Sequence, residues 1–282
     1  MRTSLNIQNR LTMLSEMRGD SIFQILQYNN LKGGKDIETA IKLNQMREAD
    51  ITLKQVRISL NNSSVKIEKG ALSYLRGSIE MHNKIGGPIG LGKKIFSSKA
   101  TGEAIFKPRY EGTGEIFLEP SFGHYALIEL EDDEVIVDDG LFYACDDSID
   151  IGVAVQKSIS AMMLGNEGIF QTKLSGSGIV VLEIPVPETE IFKCKINNDV
   201  LKVDGNFAML RTGDIEFTVE KSSKSIMSTV TGGEGLLNVF RGTGEIWLAP
   251  TKVVYSRISM KNGLKGMINQ KGISNTKVDN DI

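Results

Sequence analysis

The sequence predicts an all-β protein: three tandem β repeats of about 65 residues packed into one body with internal pseudo-threefold organisation. Three observations carry that expectation. A phrase recurs as Tyr110-Glu-Gly-Thr-Gly-Glu-Ile-Phe-Leu118, Leu174-Ser-Gly-Ser-Gly-Ile-Val-Val-Leu182 and Phe240-Arg-Gly-Thr-Gly-Glu-Ile-Trp-Leu248, and its first glycines are 64 and 66 residues apart. A regular period of that size marks one structural unit copied in tandem. Apolar residues alternate at Ile149, Ile151, Val153 and Val155, again at Ile215, Phe217 and Val219, and briefly at Ile79 and Met81. Period two is the pattern of a strand with one buried face. Finally, Pro120, Pro185 and Pro250 follow the three phrases at similar distances, where a residue without an N–H would end a strand.

Taken in chain order, residues 1–59 form an extension ahead of the repeats. Met1 to Asp20 is polar throughout and lacks the apolar core of a signal peptide. Residues 20–31 read as a leading strand or hairpin arm, and Lys32-Gly-Gly-Lys35 interrupts it. From Asp36 to Ala49 the spacing of Ile37, Ala40, Ile41 and Asn44 predicts a short helix, and Ile51 to Leu60 returns to strand. The triplicated body spans 60–255, with copies near 60–120, 130–185 and 197–250. Each copy shares a second block, Val65 to Gly70, Val135 to Gly140 and Val200 to Gly205, and a Glu ahead of the phrase at Glu103, Glu167 and Glu234. Residues 256–282 form a polar tail with few apolar side chains and are expected to fray.

The candidate residues are structural glycines: Gly112, Gly114, Gly176, Gly178, Gly242, Gly244, Gly140 and Gly205. Thr-Gly or Ser-Gly ahead of a β-branched run suits a tight turn or bulge at positive φ. Gly176→Val is therefore expected to cost more than about 1 kcal/mol. A unit of this size is marginal alone, whereas three packed together share a core and cover their sheet edges. Trp247 occupies the position of Phe117 and Val181 and reads as core.

Composition excludes several classes. The chain has 282 residues, 40% hydrophobic and 24% charged, with a net charge of −2, so no general polycation is offered to nucleic acid. No apolar run reaches the roughly 18 residues of a membrane span, so a cytoplasmic location is expected. Cys145 and Cys194 read as small apolar residues of a reducing compartment. Between Tyr110 and Gln156 no Lys or Arg occurs, while ten acids, Glu129, Glu131, Asp132, Asp133, Glu134, Asp138, Asp139, Asp146, Asp147 and Asp150, crowd the second half. Their spacing matches no calcium loop, and they read as acids of solvated turns. Gly87-Pro-Ile-Gly-Leu-Gly92-Lys93 has phosphate-loop spacing, but Lys94 stands where Ser or Thr should hold magnesium and no α/β unit surrounds it. It reads as a glycine-rich connection, with counterparts at 158–164 and 225–230 that offer an oligomer or membrane-surface contact if exposed. The only histidines, His82 and His124, are too few for a metal site of cupin type, and no Cys-His dyad carries a family signature. No catalytic residue, cofactor or metal is called for.

The order of Val-Asp-Asp-Gly-Leu-Phe-Tyr-Ala (137–144), Leu-Gly-Asn-Glu-Gly-Ile-Phe (164–170), Leu-Ser-Gly-Ser-Gly (174–178), Val-Asp-Gly (203–205) and Gly-Gly-Glu-Gly-Leu (232–236) resembles the mitochondrial-biogenesis family named for altered inheritance of mitochondria, member twenty-four. The resemblance covers about 20–255 and departs from the family pattern in segment 32–50 and in the tail. It implies a double-stranded β-helix similar to the tryptophan-RNA-binding attenuator, repeated within one chain. It also implies a role near inner-membrane organisation in mitochondrial relatives, and it brings no catalytic residues. Two functional expectations stand: a non-enzymatic, oligomer-forming scaffold that pairs with itself, with a protein partner or with a membrane surface; and, as the alternative, a binding module for RNA or a small ligand. The second is disfavoured, because RNA binding wants interleaved aromatic and basic residues, and aromatics make up 6% of the chain.

Overall fold

The computed structural model describes residues 11–82, 107–156, 169–221 and 236–259. Among them the fold is mostly β. One large antiparallel sheet runs through twelve strands and does not close on itself. The strands are β1 (Leu11–Arg18), β2 (Ile22–Tyr28), β3 (Lys54–Ile67), β4 (Leu72–His82), β5 (Arg109–Leu118), β6 (His124–Val137), β7 (Phe142–Asp146), β8 (Asp150–Gln156), β9 (Ile169–Ile184), β10 (Phe192–Asp204), β11 (Ala208–Lys221) and β12 (Leu236–Leu248). The helices are α1 (Ile37–Glu48) and α2 (Lys252–Ser259).

Three sets of strands share a layout. In each, the strand carrying the glycine phrase lies between two others: β5 between β3 and β4, β9 between β6 and the pair β7 and β8, and β12 between β10 and β11. Pro120, Pro185 and Pro250 stand one or two residues beyond the ends of β5, β9 and β12, where a ladder can no longer use a donor. The sets join through short ladders of three residue pairs each, β3 to β7 and β6 to β11. The first strand of each set begins ahead of the expected 60, 130 and 197, at Lys54, His124 and Phe192.

The glycine phrase lies inside strands, not at tight turns. Opposite it, the long strand bulges at Asn62, Asp132 and Asn198, with φ of 54°, 54° and 48°. Each bulge turns its backbone N–H onto the hydroxyl between the two glycines: Asn62 to Thr113 Oγ1 at 3.0 Å, Asp132 to Ser177 Oγ at 2.9 Å, Asn198 to Thr243 Oγ1 at 2.9 Å. Asn and Asp tolerate the left-handed conformation, and the hydroxyl satisfies a donor that the bulge has taken out of the ladder. On the other side the neighbouring backbone comes so close that a Cβ on Gly242 would lie 2.0 Å from the Asp214 carbonyl oxygen. Only glycine fits there.

Counting back from the bulges also corrects the register of the second shared block. Ser63, Asp133 and Asp199 each pair with the first glycine of their phrase. Leu201, not Val200, therefore corresponds to Val65 and Val135; Val200 is exposed while Val203 is buried. The connection from Val203 to Leu210 is as long as those from Ile67 to Tyr74 and from Val137 to Ala144, but its glycine, Gly205, stands one place earlier than Gly70 and Gly140, which shifted the linear match.

Apolar faces gather into three cores. The first is built around Phe23, Ile58, Val65, Ile67, Ile116 and Leu118, the second around Val135, Val137, Leu174, Val180, Leu182 and Leu210, and the third around Val203, Ile215, Phe217, Phe240 and Ile246. Fully burying one such aliphatic side chain stabilises by roughly 1.5–3 kcal/mol. The extension belongs to this sheet: β2 pairs along β3, and β1, absent from the sequence expectation, pairs along β2.

Helix α1 begins as expected at Asp36, whose carboxylate accepts the Thr39 N–H at 2.8 Å. Its apolar side does not pack: Ile37 is 81% exposed and no residue of the helix is buried. The cap and the Glu38–Lys42 pair at 2.6 Å hold it. Helix α2 straddles the expected boundary at 255/256 between body and polar tail; Thr251 and Tyr255 donate to Glu190 at 2.5 and 2.8 Å and tie its start to the sheet.

Candidate functional site

The eight glycines fall at two kinds of place. Gly112 and Gly114 lie on β5, Gly176 and Gly178 on β9, Gly242 and Gly244 on β12, whereas Gly140 and Gly205 occupy turns at φ of 80° and 87°. None of them lines the cleft beside α1. The phosphate-loop-like segment 87–93, its counterparts at 158–164 and 225–230, and Glu103, Glu167 and Glu234 lie outside the described residues.

The crowded acids are dispersed by the fold. Asp132 and Asp133 sit at the β6 bulge and Asp138 and Asp139 in the following turn, and among the described residues no three ligating side chains converge on a metal position. Asp146 departs from the expectation of a solvated turn: it is fully buried. Its Oδ1 accepts the Ser21 N–H at 3.1 Å and its Oδ2 the Ile179 N–H at 2.9 Å, so it ties the β1–β2 hairpin to β9. Burial pushes its pKa above the ordinary carboxylate value, against the pull of those two donors. Next door, burial likewise pushes Asp147 upward, but hydrogen bonds from Arg109, at 2.5 Å, and Ser64, at 2.9 Å, outweigh it and hold the carboxyl below its usual value. Lys66 closes the cluster by donating to the Asp147 and Ile149 carbonyls at 2.7 and 2.8 Å. These groups are committed to one another, and the arrangement reads as a clasp between the first and second sets.

Other candidates for chemistry are equally occupied. Cys145 is buried, with its thiol pKa pushed up by burial, and Cys194 is half-buried; both are free. His82 ends β4 beside Glu111, and His124 opens β6, its pKa lowered by burial and by nearby Lys54. Tyr125 and Tyr143 pack with ring centroids 5.3 Å apart, their hydroxyls engaged by Ser121 and by the Glu119 carbonyl. A cleft of about 360 Å³ between α1 and the ends of β2 and β3 is open and mixed in character, lined by Tyr28, Lys32, Leu43, Arg47 and Asp50 among others.

The feature that stands apart is at the ends of the sheet. Strand β7 is buried at all five positions. Strand β4, which holds the same place in the first set, is exposed over most of its length. Tyr74, 51% exposed, stacks on Phe117 with centroids 4.4 Å apart, and Arg76 and Arg57 reach Glu115 beside them at 2.5 and 3.7 Å. At the far end of the strand order, β10 is largely exposed too, with Phe192 at 62% and Val200 also open. The sequence gives no sign of this, because a linear pattern does not say which strands will be outermost.

A chain from Streptococcus pyogenes serotype M6, described as an uncharacterised protein, is 23% identical over 234 residues, covering 80% of this chain and 92% of its own length. A crystal structure of a Streptococcus pyogenes protein superposes with a TM-score of 0.53 at 20% identity, over 79% of this chain and 95% of that one, and speaks to the fold alone. No helix among the described residues is long and apolar enough to cross a membrane. The model of the family described as "Mitochondrial biogenesis AIM24" matches residues 47–251, and the chain belongs to that family.

Proposed function

We propose that this protein is a non-enzymatic, self-associating scaffold made of three tandem copies of one β unit, related in attenuator-like fashion. The bulge-to-hydroxyl bond at Asn62, Asp132 and Asn198 supports the three-copy reading, since the same local device recurs with the same donor and the same acceptor type. The observation that carries the function is the exposure of apolar side chains on two outer strands, Tyr74 on β4 and Phe192 and Val200 on β10. Long exposed edges invite strand addition, and proteins that stay single blunt them with charge, proline or a covering element. Here Tyr74 of β4 stacks on Phe117 of β5 beside the Arg76–Glu115 ion pair. A scaffold role needs self-association and no reaction chemistry.

The test is sedimentation velocity over a hundredfold concentration range together with native mass spectrometry of protein purified gently. Species containing several chains, growing with concentration, are the expected result. A single chain at every concentration, or a copurifying nucleotide, RNA or metabolite at stoichiometric level, would overturn the scaffold reading. The second of these would favour a binding module.

A further inference from the structure

The strand sets meet twice within the chain, and both meetings have the same register. In the first, Val65, Lys66 and Ile67 of β3 pair with Asp146, Cys145 and Ala144 of β7. In the second, Val135, Ile136 and Val137 of β6 pair with Thr212, Arg211 and Leu210 of β11. Each is followed by one backbone bond at the turn: Glu68 N–H to the Tyr143 carbonyl at 2.8 Å, and Asp138 N–H to the Met209 carbonyl at 2.7 Å. The joint brings the next set's face over the preceding core. Ala144 and Val181 help close the first core, and Leu210 and Trp247 help close the second.

The third core has no such cover from the described residues. It gathers five buried residues, where the first and second gather sixteen each. Its first strand, β10, has β12 as its partner and offers a free outer edge among the described residues, and its own Val203 is already buried in the third core. At the other end of the sheet, the residues that correspond to Ala144 with Val181, and to Leu210 with Trp247, are Tyr74 and Phe117. Phe117 pairs with Tyr74 as Val181 does with Ala144 and Trp247 with Leu210. The two rings are stacked on each other, Tyr74 exposed on β4 and Phe117 half-buried on β5, and among the described residues β4 has no neighbour on its far side.

We infer that a second copy of this chain docks head to tail, laying β4 against β10 in the register of the two internal joints. Leu201, Lys202 and Val203 of one copy face Arg76, Leu75 and Tyr74 of the next, and the Tyr74–Phe117 pair closes the third core. Such a contact is heterologous: it unites two different surfaces, and repetition closes a ring or extends a filament. Main-chain ladder bonds supply affinity, and the aromatic pair sets the register. This inference rests on the scaffold reading and specifies its partner and surface.

The test uses full-length chains in a Cys194→Ala background. Chains carrying only Leu75→Cys are mixed with chains carrying only Lys202→Cys and oxidised mildly. Directly opposed residues of an antiparallel pair have Cα atoms about 4.5–5.5 Å apart, within the Cα range a disulfide bridges. The expected result is a disulfide between the two kinds of chain. Val200→Cys, two residues out of register, should link to Leu75→Cys far more slowly. Leu75→Lys, which sets a second cation against Lys202, should weaken self-association by about fivefold or more. A double variant that bridges within one chain at monomer mass, with the mixed chains unlinked, would overturn the inference by showing that the sheet closes on itself. Links between identical Leu75→Cys chains alone would overturn it in favour of a symmetric β4–β4 contact. Oligomers that form without any 75–202 link sink this inference and leave self-association standing; a chain that sediments as a monomer throughout sinks both.

Discussion

Asp146→Asn is the substitution on which the tie between the β1–β2 hairpin and β9 can be judged. The carboxylate is fully buried and uses one oxygen for each of two backbone donors, Ser21 at 3.1 Å and Ile179 at 2.9 Å. An amide of the same shape keeps one acceptor and turns its own N–H group toward the other donor. One buried backbone N–H then loses its partner, which costs about 1–3 kcal/mol. Relief by movement is blocked on one side, since even a Cβ on Gly19 would lie 2.2 Å from Asp146 Oδ2. Urea unfolding should show a lower midpoint at unchanged slope, and hydrogen exchange should show loss of protection at Ser21 and Ile179. The pH dependence has a definite sign. Burial raises the native pKa above the unfolded value, so the folded chain binds the proton more tightly. Asp146 therefore contributes most stability below the unfolded value, and that contribution is lost as pH rises through its folded pKa. Asn does not titrate, so the penalty of the variant should shrink from acid toward neutral pH. A penalty under about 0.5 kcal/mol with both amides still protected, or one that grows with pH, would refute the reasoning.

Three further outcomes follow from the same contacts. Thr113→Val, Ser177→Ala and Thr243→Val each remove one bulge-capping hydroxyl and should cost similar amounts, about 0.5–1.5 kcal/mol; thermal unfolding of the three variants checks whether the devices are equivalent. Gly242→Ala forces a Cβ to 2.0 Å from a backbone oxygen and should cost well over 2 kcal/mol, whereas Gly140→Ala, at φ of 80° with nothing within 4 Å, should cost only about 1–2 kcal/mol; equal thermal shifts would contradict the close-approach argument. Arg109→Gln frees Asp147 from the donor that most depresses its pKa, so the stability Asp147 lends above its unfolded pKa, lost as pH falls through the folded one, should begin to fail at higher pH than in the parent chain; acid titration followed by circular dichroism reads this directly.

Much of the fold was legible in the sequence because its devices are local. Alternation gave β8 and β11, the prolines marked strand ends, and Asp36 announced α1. The glycine phrase was legible as a place where backbone conformation matters, but the reason lay in two neighbouring strands that the phrase itself does not contain: a bulge on one side, a close backbone on the other. That is why a turn and a strand-interior bulge looked alike. Asp146 was read as one more solvated acid because its burial depends on Gly19 and Ile179, 127 and 33 residues away in the chain. β1 was invisible for a related reason: Leu11 to Arg18 is largely exposed and pairs along β2 without a clean apolar face.

The open edges draw these points together. Each internal joint does two things at once: it satisfies the backbone of a first strand and it lays apolar side chains over the core beneath. Among the described residues, the core under each joint is large and the core without one is small. Burial of apolar surface is the main favourable term of folding, so among the described residues the third set buries the least on its own. Anything that binds its edge stabilises the folded state by mass action. The partner that best fits is the one the chain already uses twice, a set of the same kind arriving in the same register. Assembly and completion of the fold then become a single step, which gives a physical reason for the open edges of β4 and β10 among the described residues.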